Sequence, residues 1–220
     1  MDEQSQQPFS SERQSMVEEQ LRRRGIRDER VLAAMRKVPR HEFVDPERWP
    51  DAYADRPVTI AERQTTSQPY IIASMLQAAE IQPQDRVLEI GAGSGYQTAV
   101  LAELAAQVIA VERYPSLARA AEQSLQGLGY ANVTVVVGDG SLGAPQFAPY
   151  DAIIVSAAAP GIPPALLEQL APGGRLVLPV GNLEEQVLKL VHRHRDGSVT
   201  THAFEGCRFV PLIGEQGFAA

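Results

Sequence analysis

The feature that most constrains this chain is a run of three glycines at two-residue spacing, Gly91, Gly93 and Gly95, between a short apolar segment and a helical one. Glycines allow backbone N–H groups in such a turn to approach a ligand, and the N-terminus of the following helix favours an anion. The dinucleotide fingerprint places its third glycine one position later, where this chain has Tyr96. The spacing therefore indicates a nucleotide-like ligand and disfavours a dinucleotide oxidoreductase.

The sequence around this turn alternates between strand and helix patterns. It predicts strands over 86–90, 107–111, 133–137, 150–156 and 175–178, with helices over 96–105, 115–125 and 163–170. Beyond residue 181, alternating apolar and polar residues flank Asp196-Gly197, which predicts a hairpin of 186–193 with 199–209. We therefore expect an α/β fold with a doubly wound, mainly parallel sheet and a C-terminal antiparallel hairpin.

The first third of the chain has a different character. Residues 1–11 are rich in Gln and Ser and are predicted to form a disordered tail. A helical pattern over 11–38 is interrupted at Gly25, an irregular connection follows over 39–68, and an amphipathic helix precedes residue 80. The expected organisation is one domain over 12–220, with a helical segment (12–80), a ligand-binding core (81–181) and terminal strands (182–220).

Composition narrows the function classes. The net charge of −7 argues against a general nucleic-acid binder, because such domains usually carry a basic face. The single cysteine, Cys207, leaves no partner for an internal disulfide and fits a reducing compartment. The polar, acidic start lacks a signal-peptide pattern, and no apolar run approaches the ~20 residues of a membrane span. We expect a cytoplasmic monomer that binds neither nucleic acid nor membrane.

Acidic residues stand at the ends of the second and third predicted strands. Glu112 lies 21 residues after Gly91, and a carboxylate there can accept hydrogen bonds from both hydroxyls of a ribose. Asp139, between Gly138 and Gly140, can accept from an adenine amino group. The alternatives are a solvated strand-end charge and a plain turn. Because the carboxyl ends of parallel strands share one edge of a sheet, we expect one site that uses both acids.

The fourth predicted strand ends in small residues, Ser156-Ala157-Ala158-Ala159-Pro160, with no general base in sight. That suits a nucleophile already ionised at neutral pH, such as a carboxylate. His192 and His194 share one strand face, but no nearby Cys or carboxylate cluster completes a metal site, so no metal is expected.

The glycine turn, preceded by Glu89, resembles the first motif of class I methyltransferases. The resemblance implies a Rossmann-like fold of that type and S-adenosylmethionine as cofactor, with the methionine carboxylate as the anion near the loop. The implied cofactor-binding residues are Glu89, Gly91, Ala92, Gly93, Ser94, Gly95, Glu112, Arg113, Asp139 and Gly140.

The segment Gln64-Thr65-Thr66-Ser67-Gln68-Pro69-Tyr70 precedes the amphipathic helix. Its simplest interpretation is a helix start, with Ser67 as the capping residue and Pro69 in the first turn. The same segment, with Val38-Pro39-Arg40-His41-Glu42-Phe43-Val44 and Arg208-Phe209-Val210-Pro211-Leu212, resembles the protein-L-isoaspartate (D-aspartate) O-methyltransferase family. The resemblance runs from about Gln14 to the C-terminus.

This resemblance implies methylation of the free carboxylate of L-isoaspartyl residues in damaged proteins and peptides, and it raises D-aspartyl residues as further substrates. The methyl ester then collapses to a succinimide that returns some normal aspartate. By resemblance Ser67 is the catalytic residue, and Thr66, Val210, Pro211 and Leu212 contact substrate. For the last three, packing of an edge strand is an equal alternative.

The chain departs from the family at three positions of this segment. Bacterial members usually carry glycine where it has Ala61 and Arg63, and isoleucine where it has Thr66. Side chains at 61 and 63 are expected to stiffen the loop. Two rival functions remain at this point: a peptide-tailoring aspartate O-methyltransferase of the same fold, and a cofactor-binding protein without turnover.

Overall fold

The computed structural model describes residues 8–219, which are built around a seven-stranded sheet. Its strands are β3 (Arg86–Ile90), β4 (Gln107–Glu112), β5 (Val133–Val137), β6 (Tyr150–Val155), β7 (Leu170–Gly181), β8 (Gln186–Arg193) and β9 (Val199–Cys207). Their order across the sheet is β5-β4-β3-β6-β7-β8-β9. The first five strands in this order are parallel, and the last two join antiparallel, which confirms the predicted fold class and hairpin.

The central strands are mostly apolar because helices cover both faces of the sheet. Successive residues alternate between two cores: Val87 packs in the core that contains the N-terminal helices, whereas Leu88 packs in the opposite core. The helices are α1 (Ser10–Ser15), α2 (Glu29–Lys37), α3 (Pro69–Ala79), α4 (Tyr96–Leu104), α5 (Pro115–Gly127) and α6 (Pro164–Gln169). No helix in residues 8–219 has the length and apolarity needed to cross a membrane.

The N-terminal layer forms as two helical stretches separated at Gly25, as predicted. α1 continues into a π-helical stretch, Met16–Leu21, and the chain reverses at Gly25 with φ +101°. α2 then begins after Asp28, whose carboxylate accepts from the backbone N–H of Arg30 at 2.8 Å and caps the helix.

Most of the predicted disordered tail lies outside the described residues. Within it, Phe9 packs against the rings of His41, Trp49 and Tyr53, and a helix begins at Ser10. Residues 9–11 of the predicted tail are therefore packed or helical in the structure, with Phe9 in contact with three aromatic rings.

The connection predicted as irregular over 39–68 contains a small hairpin, β1 (Val58–Thr59) with β2 (Thr65–Thr66). Two-residue strands are too short to give an alternating pattern, so the sequence did not reveal them. A second boundary also differs from its prediction. β7 begins at Leu170, which pairs with Tyr150, rather than at residue 175, and the preceding helix ends at Gln169.

Candidate active site

The glycine turn connects β3 to α4 at the carboxyl edge of the sheet, beside the point where the strand order reverses. Gly91 and Gly95 have φ of +86° and +89°, a conformation that costs a residue with a side chain about 1–2 kcal/mol. The N–H groups of Gly91 and Ala92 donate to the carbonyl of Val111, at 2.8 and 3.3 Å. The turn is therefore fixed to the end of β4 by its own backbone.

Glu112 lies at this junction and is almost fully buried. One carboxylate oxygen accepts from the N–H of Gly93 and the other from the N–H of Tyr114, both at 2.9 Å. Each oxygen keeps a second lone pair for a ligand. The structure thus excludes the alternative of a solvated strand-end charge.

Gly91, Gly93, Glu112, Arg113 and Gly140 line one cavity, here called the strand-end cavity. Its apolar wall consists of Ile90, Val111, Ala157 and the segment Val210, Pro211, Leu212 and Ile213. The structure therefore brings together predicted residues from three strand ends with the C-terminal segment.

Asp139 lies beside this cavity, in a neighbouring one that it shares with Arg113, Gly138 and Gly214. Partial burial by itself would raise the pKa of Asp139, but hydrogen bonds from the N–H of Glu215 and from Ser141 outweigh it and lower the pKa. These donors lie at 2.7–2.9 Å. The ionised carboxylate of Asp139 thus binds the backbone of the C-terminal segment at Glu215. Its contact with adenine stays a prediction.

Glu89 is completely buried behind the glycine turn. Burial raises its pKa to about 8, even though hydrogen bonds from Thr98 and Gln97 act in the opposite direction. Thr98 Oγ1 donates at 2.5 Å and Gln97 Nε2 at 3.0 Å. Glu89 lines a small space under the turn, the glycine-loop cavity, together with Ala92, Ser94, Gln97 and others.

Ser67 lines a further cavity, called the Ser67 cavity, and it also lines the glycine-loop cavity. The other lining residues of the Ser67 cavity come from three separate parts of the chain: Pro57, Thr65, Gln68 and Ile71, then Ser156, then Gly206, Cys207, Arg208, Phe209 and Val210. Cys207 is half buried, and burial raises the pKa of its thiol to about 11, so it is a poor nucleophile.

The predicted capping role of Ser67 is wrong. α3 begins at Pro69, so the capping position is Gln68, and no side chain caps the helix. Gln68 instead donates to the carbonyl of Asp55 at 3.0 Å. Within residues 8–219 we find no hydrogen bond made by the Ser67 hydroxyl, which leaves it available to a ligand in the cavity.

A buried arginine supports the Ser67 segment from behind. Arg40 donates to the carbonyl of Ser67 at 2.7 Å, to Thr66 Oγ1 at 3.2 Å and to the carbonyl of Ala52 at 2.7 Å. Its guanidinium lies 4.6 Å from the centre of the Tyr96 ring, at the start of α4. Thr66 is therefore buried, with its hydroxyl turned toward Arg40.

The C-terminal segment runs beside the end of β6. The N–H of Ala158 donates to the carbonyl of Val210 at 2.8 Å, and the N–H of Leu212 donates to the carbonyl of Ala158 at 2.7 Å. Leu212 is buried in the core, whereas Pro211 is exposed. Of the two roles considered for this segment, packing therefore describes Leu212. Val210 instead lines both the strand-end cavity and the Ser67 cavity.

Two polar residues outside the predicted site, Thr65 and Ser156, line the strand-end, glycine-loop and Ser67 cavities alike. In the sequence, Ser156 is one of several small residues at a strand end. No other signal in the sequence marks it, because the convergence of the cavities depends on the hairpin and the C-terminal segment.

The loop between β1 and β2 has an unusual backbone. Glu62 and Arg63 have φ of +57° and +56°. The Glu62 carboxylate accepts from the Ser116 hydroxyl at 2.5 Å, which joins the loop to α5. Arg63, one of the two positions where the resemblance leads us to expect glycine, thus has a left-handed conformation, whereas Ala61, the other, has no positive φ.

Groups of three or more potential metal ligands are not found within residues 8–219. His192 and His194 lie with ring centres 6.4 Å apart on the antiparallel part of the sheet, in a stacked arrangement.

Comparison with known proteins assigns the chain to a family. The family model described as protein-L-isoaspartate (D-aspartate) O-methyltransferase matches residues 11–217. The chain is 54% identical over 211 residues to the protein-L-isoaspartate O-methyltransferase of Koribacter versatilis, covering 96% of this chain and 95% of that protein. It is 56% identical over 212 residues to that of Methanoculleus marisnigri, covering 96% of each.

Solved structures that resemble this chain carry titles of the same family. One titled as a protein-L-isoaspartate O-methyltransferase has a TM-score of 0.82 at 30% identity, covering 93% of this chain and 67% of its own. A Plasmodium falciparum structure, titled as a putative member in complex with S-adenosyl-L-homocysteine, has a TM-score of 0.79 at 26% identity, covering 91% and 98%. The chain belongs to the protein-L-isoaspartate (D-aspartate) O-methyltransferase family.

Proposed function

We propose that this chain, an S-adenosylmethionine-dependent methyltransferase, methylates the free carboxylate of L-isoaspartyl residues in damaged proteins and peptides, and that Ser67 orients this carboxylate. The observation that carries the proposal concerns the Ser67 hydroxyl. It has no hydrogen bond within the described residues, and it lines a cavity that shares Thr65, Ser156 and Val210 with the strand-end cavity.

The residues that line the strand-end cavity support the proposed cofactor contacts. A buried carboxylate with remaining lone pairs, Glu112, stands where a ribose diol needs an acceptor, and apolar side chains such as Ile90 and Val111 suit an adenine ring. Gly91 to Gly95 would hold the methionine end, with Ser94 beside it. Arg113, Asp139 and Gly140 complete the proposed cofactor residues.

The cofactor supplies an electrophilic methyl group on a sulfonium, and the protein holds the acceptor carboxylate in position for the transfer. An isoaspartyl carboxylate is ionised at neutral pH, so no residue has to remove a proton. Ser67 donates a hydrogen bond to that carboxylate, and the apolar walls exclude water. Holding two reactants in line can lower a barrier by ~7–11 kcal/mol in favourable cases.

Substrate contacts are proposed along the Ser67 cavity. Val210 contacts the peptide. Pro211 and Leu212 hold the C-terminal segment that contains Val210 in place, because this segment pairs with Ala158. Thr66 acts from behind the cavity through Arg40. D-aspartyl residues are a second proposed substrate, because they also carry one free carboxylate that is ionised at neutral pH.

We also propose that the protein is a cytoplasmic monomer without nucleic-acid partners. The single cysteine and the net charge of −7 support this proposal. Light scattering after size exclusion gives the oligomeric state.

The decisive experiment uses methyl-labelled S-adenosylmethionine with a pair of peptides that differ only in Asp or isoAsp at one position. We expect label in the isoAsp peptide and base-labile release of methanol. Equal labelling of both peptides would refute the repair function, and cofactor binding without any labelling would favour a binding protein without turnover. Ser67→Ala should lose most of the activity and retain cofactor affinity.

A further inference from the structure

Ser156 lies where the three cavities of the site meet. The strand-end cavity, the glycine-loop cavity and the Ser67 cavity are all lined by this residue. In the proposed function these spaces hold the adenosine part of the cofactor, its methionine part and the methyl acceptor. The methyl group would therefore pass from the cofactor to the acceptor at the common border of these cavities. Ser156 is half buried at this border.

The Ser156 hydroxyl is oriented by a buried chain of hydrogen bonds. Gln97 Nε2 donates to Ser156 Oγ at 2.8 Å and to Glu89 Oε1 at 3.0 Å, so both amide hydrogens are engaged. Glu89 is held in turn by Thr98. Both hydrogens of the Gln97 amide are thus used in hydrogen bonds to protein atoms, and Ser156 Oγ accepts one of them.

A hydroxyl that accepts on one side still has a hydrogen to donate. Within residues 8–219, no acceptor for the Ser156 hydroxyl hydrogen is found, and the same holds for Ser67. Both residues line the Ser67 cavity. Two serine donors at the wall of one cavity match an anionic ligand with more than one acceptor position, and a carboxylate provides four.

We propose that Ser156 is a second catalytic serine, which donates a hydrogen bond to the acceptor carboxylate at the border of the three cavities, while Ser67 donates a second one. Together they fix the plane of the carboxylate. One carboxylate oxygen then forms a bond to the methyl carbon as the carbon–sulfur bond breaks, and its electron pair remains on the sulfur. No proton is transferred, so both serines keep theirs.

This proposal rests on the proposed function, and it has a readout that does not need turnover. The variants are Ser156→Ala and Ser156→Thr, with Ser198→Ala in the turn between β8 and β9 as a control away from the site. Each is measured for the kcat/KM of isoaspartyl peptide methylation, for S-adenosylhomocysteine affinity by calorimetry, and for isoaspartyl peptide affinity in the presence of saturating S-adenosylhomocysteine.

We expect Ser156→Ala to lower kcat/KM and peptide affinity roughly 10-fold or more, as for a lost hydrogen bond to a charged group. Its S-adenosylhomocysteine affinity should stay within about twofold, and Ser156→Thr should recover most of both losses. Unchanged thermal unfolding of the alanine variant checks the fold.

Two outcomes would overturn the assignment. Peptide affinity equal to wild type in Ser156→Ala removes Ser156 from the acceptor site. A loss confined to S-adenosylhomocysteine affinity places the hydroxyl on the cofactor's own carboxylate instead. If the wild-type protein methylates no isoaspartyl peptide, the proposed function itself fails, and this result is distinct from both.

Discussion

Arg40 donates from Nη2 to the carbonyl oxygen of Ser67 across 2.7 Å, and its side chain is completely buried. The same guanidinium holds Thr66 and stands over Tyr96, the first residue of the helix that follows the glycine turn. One side chain therefore connects the acceptor side of the site to the cofactor side. Lysine cannot replace three directional donors with a compact ammonium group.

We predict that Arg40→Lys destabilises the protein by about 2–4 kcal/mol, since two or three buried hydrogen bonds to a charged group are lost. Its kcat/KM for isoaspartyl peptide should fall more than its S-adenosylhomocysteine affinity. Urea unfolding and steady-state kinetics measure the two effects. Thr66→Val is the matched variant because it removes one acceptor only, and a smaller cost for Arg40→Lys than for Thr66→Val would contradict the assignment.

The second prediction concerns Glu112. Glu112→Gln keeps the shape of the side chain but removes the charge and places an amide N–H₂ against the N–H of Gly93 or Tyr114. We expect S-adenosylhomocysteine affinity to fall roughly 10- to 100-fold, the range for hydrogen bonds to a charged group. Glu122→Gln, on the exposed side of α5, is the control. Equal calorimetric affinities for the two variants would exclude Glu112 from cofactor binding.

The third prediction separates two positions in the loop between β1 and β2. At Arg63, with its positive φ, glycine relieves about 1–2 kcal/mol of strain and offsets its own entropic cost of roughly 0.5–1 kcal/mol. Arg63→Gly should therefore leave stability unchanged or raise it slightly. Ala61→Gly has no strain to relieve and should lower stability by about 0.5–1 kcal/mol. Urea midpoints in the opposite order would show that the loop backbone differs from this description.

The fourth prediction is a pH dependence that arises from Glu89. Burial raises the pKa of Glu89 from 4.5 to about 8 in the folded protein. Between these values the folded state binds more protons than the unfolded state, so this carboxyl makes stability fall as pH rises from about 5 to 8. The slope reaches at most about 1.4 kcal/mol per pH unit.

Glu89→Gln mimics the protonated form and should lose this part of the slope. Denaturant unfolding at pH 5.5, 6.5 and 7.5 compares the variant with the wild type. Parallel stability curves would mean that Glu89 is already ionised at neutral pH, with Gln97 and Thr98 compensating its burial.

The parts of the fold that the sequence predicted are those with a local signal. Gly91, Gly93 and Gly95 identified the turn because their spacing reflects backbone conformation, and Glu112 followed from its place at a strand end. The capping role assigned to Ser67 was wrong by one residue, because local pattern does not fix where a helix begins when Pro69 can occupy its first position.

Ser156 and Arg40 show why the rest was not predictable. Ser156 follows an apolar strand and carries no motif, and its importance comes from a hairpin and a terminal segment that converge on it in space. Arg40 belongs to a segment that resembled the family, yet nothing in its neighbours along the chain indicates that it reaches Ser67, 27 residues later.

The walls of the Ser67 cavity come from residues 57–71, from Ser156 and from residues 206–210, and the Tyr70 hydroxyl donates to Glu205 at 3.2 Å, which links the first of these segments to the last strand. The place where the acceptor binds is thus a joint between the early and late parts of the polypeptide. The strand-end cavity depends on the same late segment, because Val210, Pro211, Leu212 and Ile213 form part of its wall. Methyl transfer therefore depends on the last part of the fold to be added: both cavities form only when the final strands and the segment after them have packed against the sheet.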